Sequence, residues 1–384
     1  MIYSKRIQQL PPYPFADLDK KKAELKAQGK DLINLSIGDP DLPTPEPIVK
    51  CKQAAVAKAR HHQYPPYEGT LEFKEAAARW YQRRFNVRLD PASEVLALIG
   101  SKEGIANVHY ALVDPGDIVL VPTPGYPVYD VAAKFAGGIP FNMPLGKNKN
   151  FLPDFSLIQD KIGRKAKIMH LNYPNNPTAA PASDGFFNDA VHFAKQHNIM
   201  ICHDAAYTEI YFDNRKPKSF LQTPGAKEVG IEFHSLSKTF NMTGWRIGFA
   251  VGNAEVLKGL AKIKTNVDSG QFTAVQEAAA FALDHAEELT PAIRATYQKR
   301  RDIFVEALNK AGFKVEAPKA TFYVWMELSP EKTDVQFADH LMRQTGVIVT
   351  PGSAFGEGGE NFIRFTLTAP EARLKEAVGR MQQL

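Results

Sequence analysis

Apolar and polar positions follow two rhythms along this chain. Spacings of three and four residues, the period of a helix with one buried face, run through residues 15–28, 45–60 and 71–85. Gly29 supplies a stop for the first of these. From residue 95 the rhythm changes. Short, nearly continuous apolar runs at 95–99, 118–121, 168–171, 199–202, 230–233 and 247–251 alternate with helical stretches such as 103–113 and 184–197. Strands without polar alternation are buried on both faces, so this region predicts an α/β fold, a mostly parallel sheet flanked by helices. Right-handed crossovers then line up the C-terminal ends of the strands along one edge, where ligands gather.

After about residue 271 the texture changes again. Long helical stretches, including 290–311, are followed by short apolar runs at 322–327, 348–350 and 362–368, with helices at 335–345 and from 371. This predicts a smaller α+β unit. The run at 32–35 needs a sheet to join, which assigns the N-terminal segment to the same unit. The expected division is a large domain over 46–285 and a small domain made of 1–45 and 286–384. Gly38-Asp39-Pro40-Asp41 opens a turn-rich connection between them.

Bulk properties narrow the class. A chain of 384 residues suits two domains, and 44% hydrophobic with 23% charged residues is the composition of an ordinary soluble globular protein. The net charge of +5 comes from acids and bases mixed along the chain, with no basic run to suggest nucleic acid. Cys51 and Cys202 have no C-x-x-C partner, which argues against a disulfide framework or a cysteine-rich zinc site. His61-His62 lacks spaced partners, and His170, His203 and His234 at strand ends suit packing or hydrogen bonding, so no metal is expected. The N-terminus is polar and basic rather than signal-like, and no window approaches the ~20 apolar residues of a membrane span. A cytoplasmic protein is expected. No G-x-G-x-x-G follows a strand, and Gly356-Glu357-Gly358-Gly359 lies outside that context, which disfavours a nucleotide-dependent dehydrogenase.

Polar clusters fall just after the apolar runs. Gly100-Ser101-Lys102 opens a helix, where backbone N–H groups can cradle a phosphate. Tyr126, Asn176, Asp204 and Tyr207 follow later strands. Each has an ordinary explanation alone: core aromatic, turn former, helix cap. The densest cluster is Ser235-Leu236-Ser237-Lys238, with Arg246 downstream. One lysine among hydroxyls, with an arginine able to fork onto a phosphate, suits pyridoxal 5'-phosphate: an amine for its aldehyde and donors for its phosphate. The ordinary reading of the segment alone is a polar loop with a solvated lysine.

The order of these motifs, continued by Phe362-Ile363-Arg364, resembles the class I/II aminotransferases of PLP fold type I, and the resemblance covers nearly the whole chain. It implies that Lys238 bonds to the cofactor aldehyde and acts as acid and base. It implies that Asp204 holds the pyridine nitrogen protonated, that Asn176 and Tyr207 bond the ring hydroxyl and that Tyr126 stacks on the ring. Ser101, Lys102 through its backbone, Ser235, Ser237 and Arg246 would bind phosphate. Arg364, with Gly38 and Asn176 nearby, would take the substrate carboxylate. Tyr64 resembles a tyrosine that reaches the neighbouring subunit's phosphate, which implies a homodimer with shared active sites. Ala179 departs from the family, where glycine usually follows Asn-Pro-Thr.

Arg6-Ile7 with Leu10-Pro11-Pro12-Tyr13, Gly38-Asp39-Pro40-Asp41, His203-Asp204-Ala205-Ala206-Tyr207 and Glu232-Phe233-His234 are similar to the LL-diaminopimelate aminotransferase subgroup. That similarity implies interconversion of tetrahydrodipicolinate plus L-glutamate and LL-2,6-diaminopimelate plus 2-oxoglutarate. Tyr13, Phe15, Tyr67, Glu68 and Tyr129 are candidates for the distal end of such a substrate, and Phe15 with its helix for a lid. The alternatives are aspartate, alanine or aromatic aminotransferases of the same fold, a PLP-dependent β-lyase, and a non-catalytic sensor on this scaffold.

Overall fold

The computed structural model describes residues 2–8, 10, 16–329, 331 and 333–382. Its largest sheet is built from β2 (Val95–Leu98), β3 (Ile118–Thr123), β4 (Ile139–Pro144), β5 (Ala166–Asn172), β6 (Met200–Asp204), β7 (Gly230–Ser235) and β8 (Gly248–Gly252). The strand order is β2-β8-β7-β6-β5-β3-β4. The run from β7 to β4 is parallel, as the unbroken apolar runs predict. Two features differ from expectation. The apolar run 247–251 becomes β8, which lies antiparallel to both β2 and β7. An additional strand, β4, sits at the sheet edge. Pro140 and Pro144 disguise it in the sequence. Proline has no N–H to donate to a ladder, so such a strand is tolerated only at an edge.

Helices cover this sheet, and their ends follow local chemistry. Leu71–Phe85 is capped by Thr70, whose side chain accepts from the Phe73 amide, and ends where Asn86 turns left-handed at φ 54°. Its buried face is Phe73, Ala76, Ala77, Trp80 and Tyr81, and each large side chain buried there contributes roughly 1.5–3 kcal/mol. The helix Ser101–Leu112 follows β2 directly, with Gly100 as its N-cap at φ 76°.

The remaining strands form two small sheets. β1 (Ile33–Asn34) pairs in parallel with β10 (Val347–Ile348), so the run 32–35 joins the C-terminal third of the chain. β9 (Tyr323–Glu327), β11 (Thr350–Pro351) and β12 (Phe362–Thr366) form an antiparallel sheet in the order β11-β12-β9. The apolar run 348–350 thus splits between two sheets. Ile33 and Leu35 pack with Phe304, Leu308, Ile363, Phe365 and Leu374 in one core, while Phe73, Trp80, Leu120, Ile201 and Phe249 belong to another. The long helix Ala286–Lys310 begins before the predicted position and carries Pro291 in its second turn. Among the described residues no helix is long and apolar enough to cross a membrane.

Candidate active site

Parallel β5 and β6 end side by side, with Asn172 opposite Asp204. Asn172 locks the two ends together, its Nδ2 donating to the Asp204 carbonyl at 2.7 Å and its Oδ1 accepting from the Asn176 amide at 2.8 Å. Asp204 itself is buried. Its Oδ2 accepts from the Tyr129 hydroxyl at 2.9 Å, while Oδ1 has no hydrogen-bond partner among the described residues. Burial pushes this carboxyl above the usual range, and the Tyr129 hydrogen bond opposes that rise.

Lys238 lies one strand further, on the short helix Leu236–Thr239 after β7. Its Nζ donates to the Gly38 carbonyl at 2.7 Å. Burial lowers its pKa from 10.5 to about 8; Asp39 pulls the other way, while Arg246 and Arg364 add to the lowering. An amine in that range is a usable base and nucleophile near neutral pH.

Arg246 sits at the basic end of the site. The Cα of Gly100 is so close that a Cβ there would meet the Arg246 Nη2 at 2.3 Å. The glycine is therefore required twice, for its positive φ and for this approach. Gly248 on β8 also allows a close approach, since a Cβ there would meet the His234 carbonyl at 2.5 Å and the Ser101 amide at 3.0 Å. The first amides of the helix Ser101–Leu112 and the Arg246 guanidinium thus share one corner, with buried Ser235 and Ser237 on the adjoining segment. Lys102 is exposed, and its Nζ lies 5.9 Å above the Tyr126 ring.

At the opposite end, Arg364 is almost fully enclosed. Its Nη1 donates to Asn176 Oδ1 at 2.8 Å and its Nη2 to the Ser36 carbonyl at 2.6 Å. Its guanidinium lies over the ring of Tyr323 at 4.3 Å and over that of Phe355 at 4.6 Å. Tyr323 also shares a 2.9 Å hydrogen bond with the Tyr207 hydroxyl, and any side chain at Gly38 would strike the Tyr323 hydroxyl. Tyr323 and Phe355 were not anticipated. The register Arg364↔Trp325 and Thr366↔Tyr323 puts Tyr323 diagonally beside Arg364 on one sheet face. The apolar run 322–327 alone does not reveal that pairing.

The chain therefore gathers Gly38, Ser101, Tyr126, Asn176, Asp204, Tyr207, Ser235, Ser237, Lys238, Arg246 and Arg364 around one set of strand ends. Tyr64 is 82% exposed. Tyr67 and Glu68 are also exposed. Tyr13 and Phe15 lie outside the described residues. Tyr129 is corrected: it is wholly buried with its hydroxyl on Asp204, so it does not belong with candidates for a distal substrate group. Ala179 adopts φ 60°, the left-handed conformation that explains the family's glycine at that point.

A second buried carboxylate, also missed in the sequence, stands behind the first. Glu232 on β7 accepts through Oε1 from Tyr81 Oη at 2.5 Å and His234 Nε2 at 2.8 Å. Its Oε2 accepts from His203 Nδ1 at 3.0 Å, Ser219 Oγ at 3.1 Å and the Phe220 amide at 2.8 Å. His203 Nε2 accepts in turn from the Tyr173 amide at 3.1 Å, so His203 carries its proton on Nδ1.

Taken together, the site presents donors for an anion at one end, an open carboxylate oxygen for a cationic N–H in its floor, and a weakly basic amine between them. That set fits a phosphorylated pyridine aldehyde. The family model for aminotransferase class I and II matches residues 30–381. An LL-diaminopimelate aminotransferase of Syntrophobacter fumaroxidans is 51% identical over 383 residues, covering 100% of this chain and 99% of the relative. Another, of Aquifex aeolicus, is 52% identical over 382 residues, again covering 100% and 99%. Substrate-bound BacF from Bacillus subtilis superposes with a TM-score of 0.96 at 40% identity, covering 100% of this chain and 98% of that one. With the motifs, the sheet and these likenesses in agreement, the chain belongs to the class I and II aminotransferases and has their PLP fold type I architecture.

Proposed function

We propose that this protein is a pyridoxal 5'-phosphate-dependent aminotransferase interconverting tetrahydrodipicolinate plus L-glutamate and LL-2,6-diaminopimelate plus 2-oxoglutarate, a step toward lysine and peptidoglycan precursors. The substrate choice is carried by full-length identity of 51% and 52% to two LL-diaminopimelate aminotransferases.

In this reading Ser101, the Lys102 backbone, Ser235, Ser237 and Arg246 hold the cofactor phosphate. Tyr126 stacks on the ring, Asn176 and Tyr207 bond its hydroxyl, and Asp204 offers its open Oδ1 to the ring N–H. Lys238 holds the aldehyde carbon. The chemistry supplied by the bound cofactor is that of an electron sink for the pair left when the substrate Cα loses its proton. Once its amine is free of the aldehyde, Lys238 would take that proton and return it. With a pKa of about 8, about a tenth of such amines are unprotonated at pH 7, and a positioned base of this kind contributes ~10²–10⁴-fold. Arg364 clamps the substrate carboxylate with a fork that lysine cannot copy. Its flanking rings and two fixed acceptors orient it before substrate arrives. Gly38 leaves room for Tyr323 to support Tyr207.

The reading includes a homodimer in which each Tyr64 completes the neighbouring site. Tyr64 is an exposed aromatic residue, and Gly270 packs against the neighbouring Pro65, Pro66 and Tyr67, which supports this segment as a contact for a second copy. It includes the division into 46–285 and 1–45 with 286–384, which the separate cores favour, and a cytoplasmic location, which two free cysteines favour.

The test is amino transfer to 2-oxoglutarate from LL-diaminopimelate, aspartate and alanine. LL-diaminopimelate should have the highest kcat/KM; a clear preference for aspartate overturns the substrate assignment. Borohydride reduction of the yellow protein should tag the peptide containing Lys238, and Lys238→Ala should abolish the tag.

A further inference from the structure

We infer that Tyr129 is a positioning residue for Asp204: its hydroxyl fixes one carboxylate oxygen and keeps the group ionised, so that the other oxygen remains available to the cofactor's ring nitrogen. This rests on the cofactor reading above.

The geometry is specific. Tyr129 is wholly buried, and its hydroxyl donates to Asp204 Oδ2 at 2.9 Å. Oδ1 of the same carboxylate is buried without a hydrogen-bond partner among the described residues. A tyrosine hydroxyl is a neutral donor. It stabilises the charged carboxylate without adding a positive charge that would compete with the ring N–H for that carboxylate.

The tyrosine ring is held from behind. It stacks on His170 with centroids 4.7 Å apart and planes 15° apart, and His170 stacks on His109 at 4.9 Å. Hydrogen bonds fix the proton positions in this column. His109 Nδ1 lies 2.9 Å from the Ile105 carbonyl, which can only accept, so Nδ1 carries the proton and Nε2 is an acceptor. His170 Nε2, 3.0 Å away, must therefore donate to it. Burial lowers the His109 pKa to about 4 and drives His170 well below its ordinary value. The column is thus two neutral rings in fixed tautomers, a platform that does not change charge under Tyr129. Burial raises the Asp204 pKa, and the Tyr129 hydrogen bond is the largest influence lowering it, ahead of His203, the Ala206 amide and His234.

The experiment uses pyridoxal 5'-phosphate labelled with ¹⁵N in the ring, bound to wild type, Tyr129→Phe, Asp204→Asn and the double variant. Phenylalanine keeps the stack on His170 and removes only the hydroxyl. Tyr129→Phe should weaken cofactor binding about tenfold, the scale of one hydrogen bond to a charged group. It should also move the ¹⁵N signal toward the unprotonated ring. In the Asp204→Asn background the same substitution should change affinity less than about twofold, since its effect runs through Asp204. An unchanged signal in folded Tyr129→Phe, or an equal loss in both backgrounds, overturns the inference. Should Tyr129→Phe fail to fold, His170→Leu takes its place with the same readouts: a shift in the same direction supports the inference and an unmoved signal overturns it. Wild type that binds no cofactor would instead sink the cofactor reading itself.

Discussion

Asp204 and Glu232 stand on neighbouring strands, β6 and β7, yet their surroundings are opposites. Alternation along β6 sends His203 and Asp204 to opposite sheet faces, and His203 is the cross-strand partner of Glu232. Both oxygens of Glu232 are covered by five donors from the chain. Although burial pushes its pKa up, hydrogen bonds from His203 and His234 overcome this and hold it well below the carboxylate range. Asp204 has the Tyr129 hydroxyl on Oδ2, no partner for Oδ1 among the described residues, and a raised pKa. A buried charge that the fold satisfies completely serves the fold. One left half satisfied is held for something the chain does not itself contain.

Substitutions on the two sides should separate activity from stability. Asp204→Asn should lower kcat/KM by about 10²–10³-fold, the usual effect of losing one electrostatic contact to a reacting system. Urea unfolding of the cofactor-free variant should show stability equal to wild type or higher, because a poorly solvated carboxylate has been removed. Glu232→Leu should do the reverse. It strands the donors of Tyr81, His203, His234, Ser219 and Phe220, so unfolding free energy should fall by roughly 3–5 kcal/mol, with activity per folded molecule within about tenfold of wild type. Equal stability losses at both sites would erase the contrast.

Acid should sharpen it. Glu232 has a folded pKa below its ordinary 4.5, so the stability it contributes is present above that value and is lost as pH falls toward the folded one. Asp204 has a folded pKa above its ordinary 3.8, so the native state holds its proton more tightly and stability falls as pH rises between those two values. Melting temperatures of the cofactor-free protein between about pH 6 and pH 3 should therefore drop less steeply in Glu232→Gln than in wild type and more steeply in Asp204→Asn.

The smallest effect falls on the loop joining both regions. The Tyr173 amide bonds His203 on the Glu232 side, while Asn176 bonds Arg364 on the Asp204 side. Ala179 closes that loop at φ 60°. Ala179→Gly should raise stability by up to ~1 kcal/mol by removing the left-handed penalty, without changing kcat. A lower melting temperature would mean that the buried methyl group outweighs the backbone strain.

Much of this was readable along the chain. The helix Leu71–Phe85 appears at its predicted limits because its apolar spacing, Thr70 cap and Asn86 stop are all local signals. Ser235, Ser237, Lys238 and Arg246 lie within one short stretch. Other features were hidden. β4 carries two prolines that read as a turn, and only its place at the edge makes it a strand. The direction of β8 has no signature in an apolar run buried on both faces. The roles of Tyr323 and Tyr129 depend on contacts with residues far away in sequence.

By itself the sequence determined the helices, the apolar runs, the lysine among its hydroxyls and the family those motifs mark. Each depends on residues a few positions apart, where propensity, capping and turn chemistry act. The tertiary structure alone decided that Tyr129 meets Asp204 across 75 positions and Asn176 meets Arg364 across 188. Strand order and register set those meetings, and both follow from packing the whole chain around its cores rather than from any local preference.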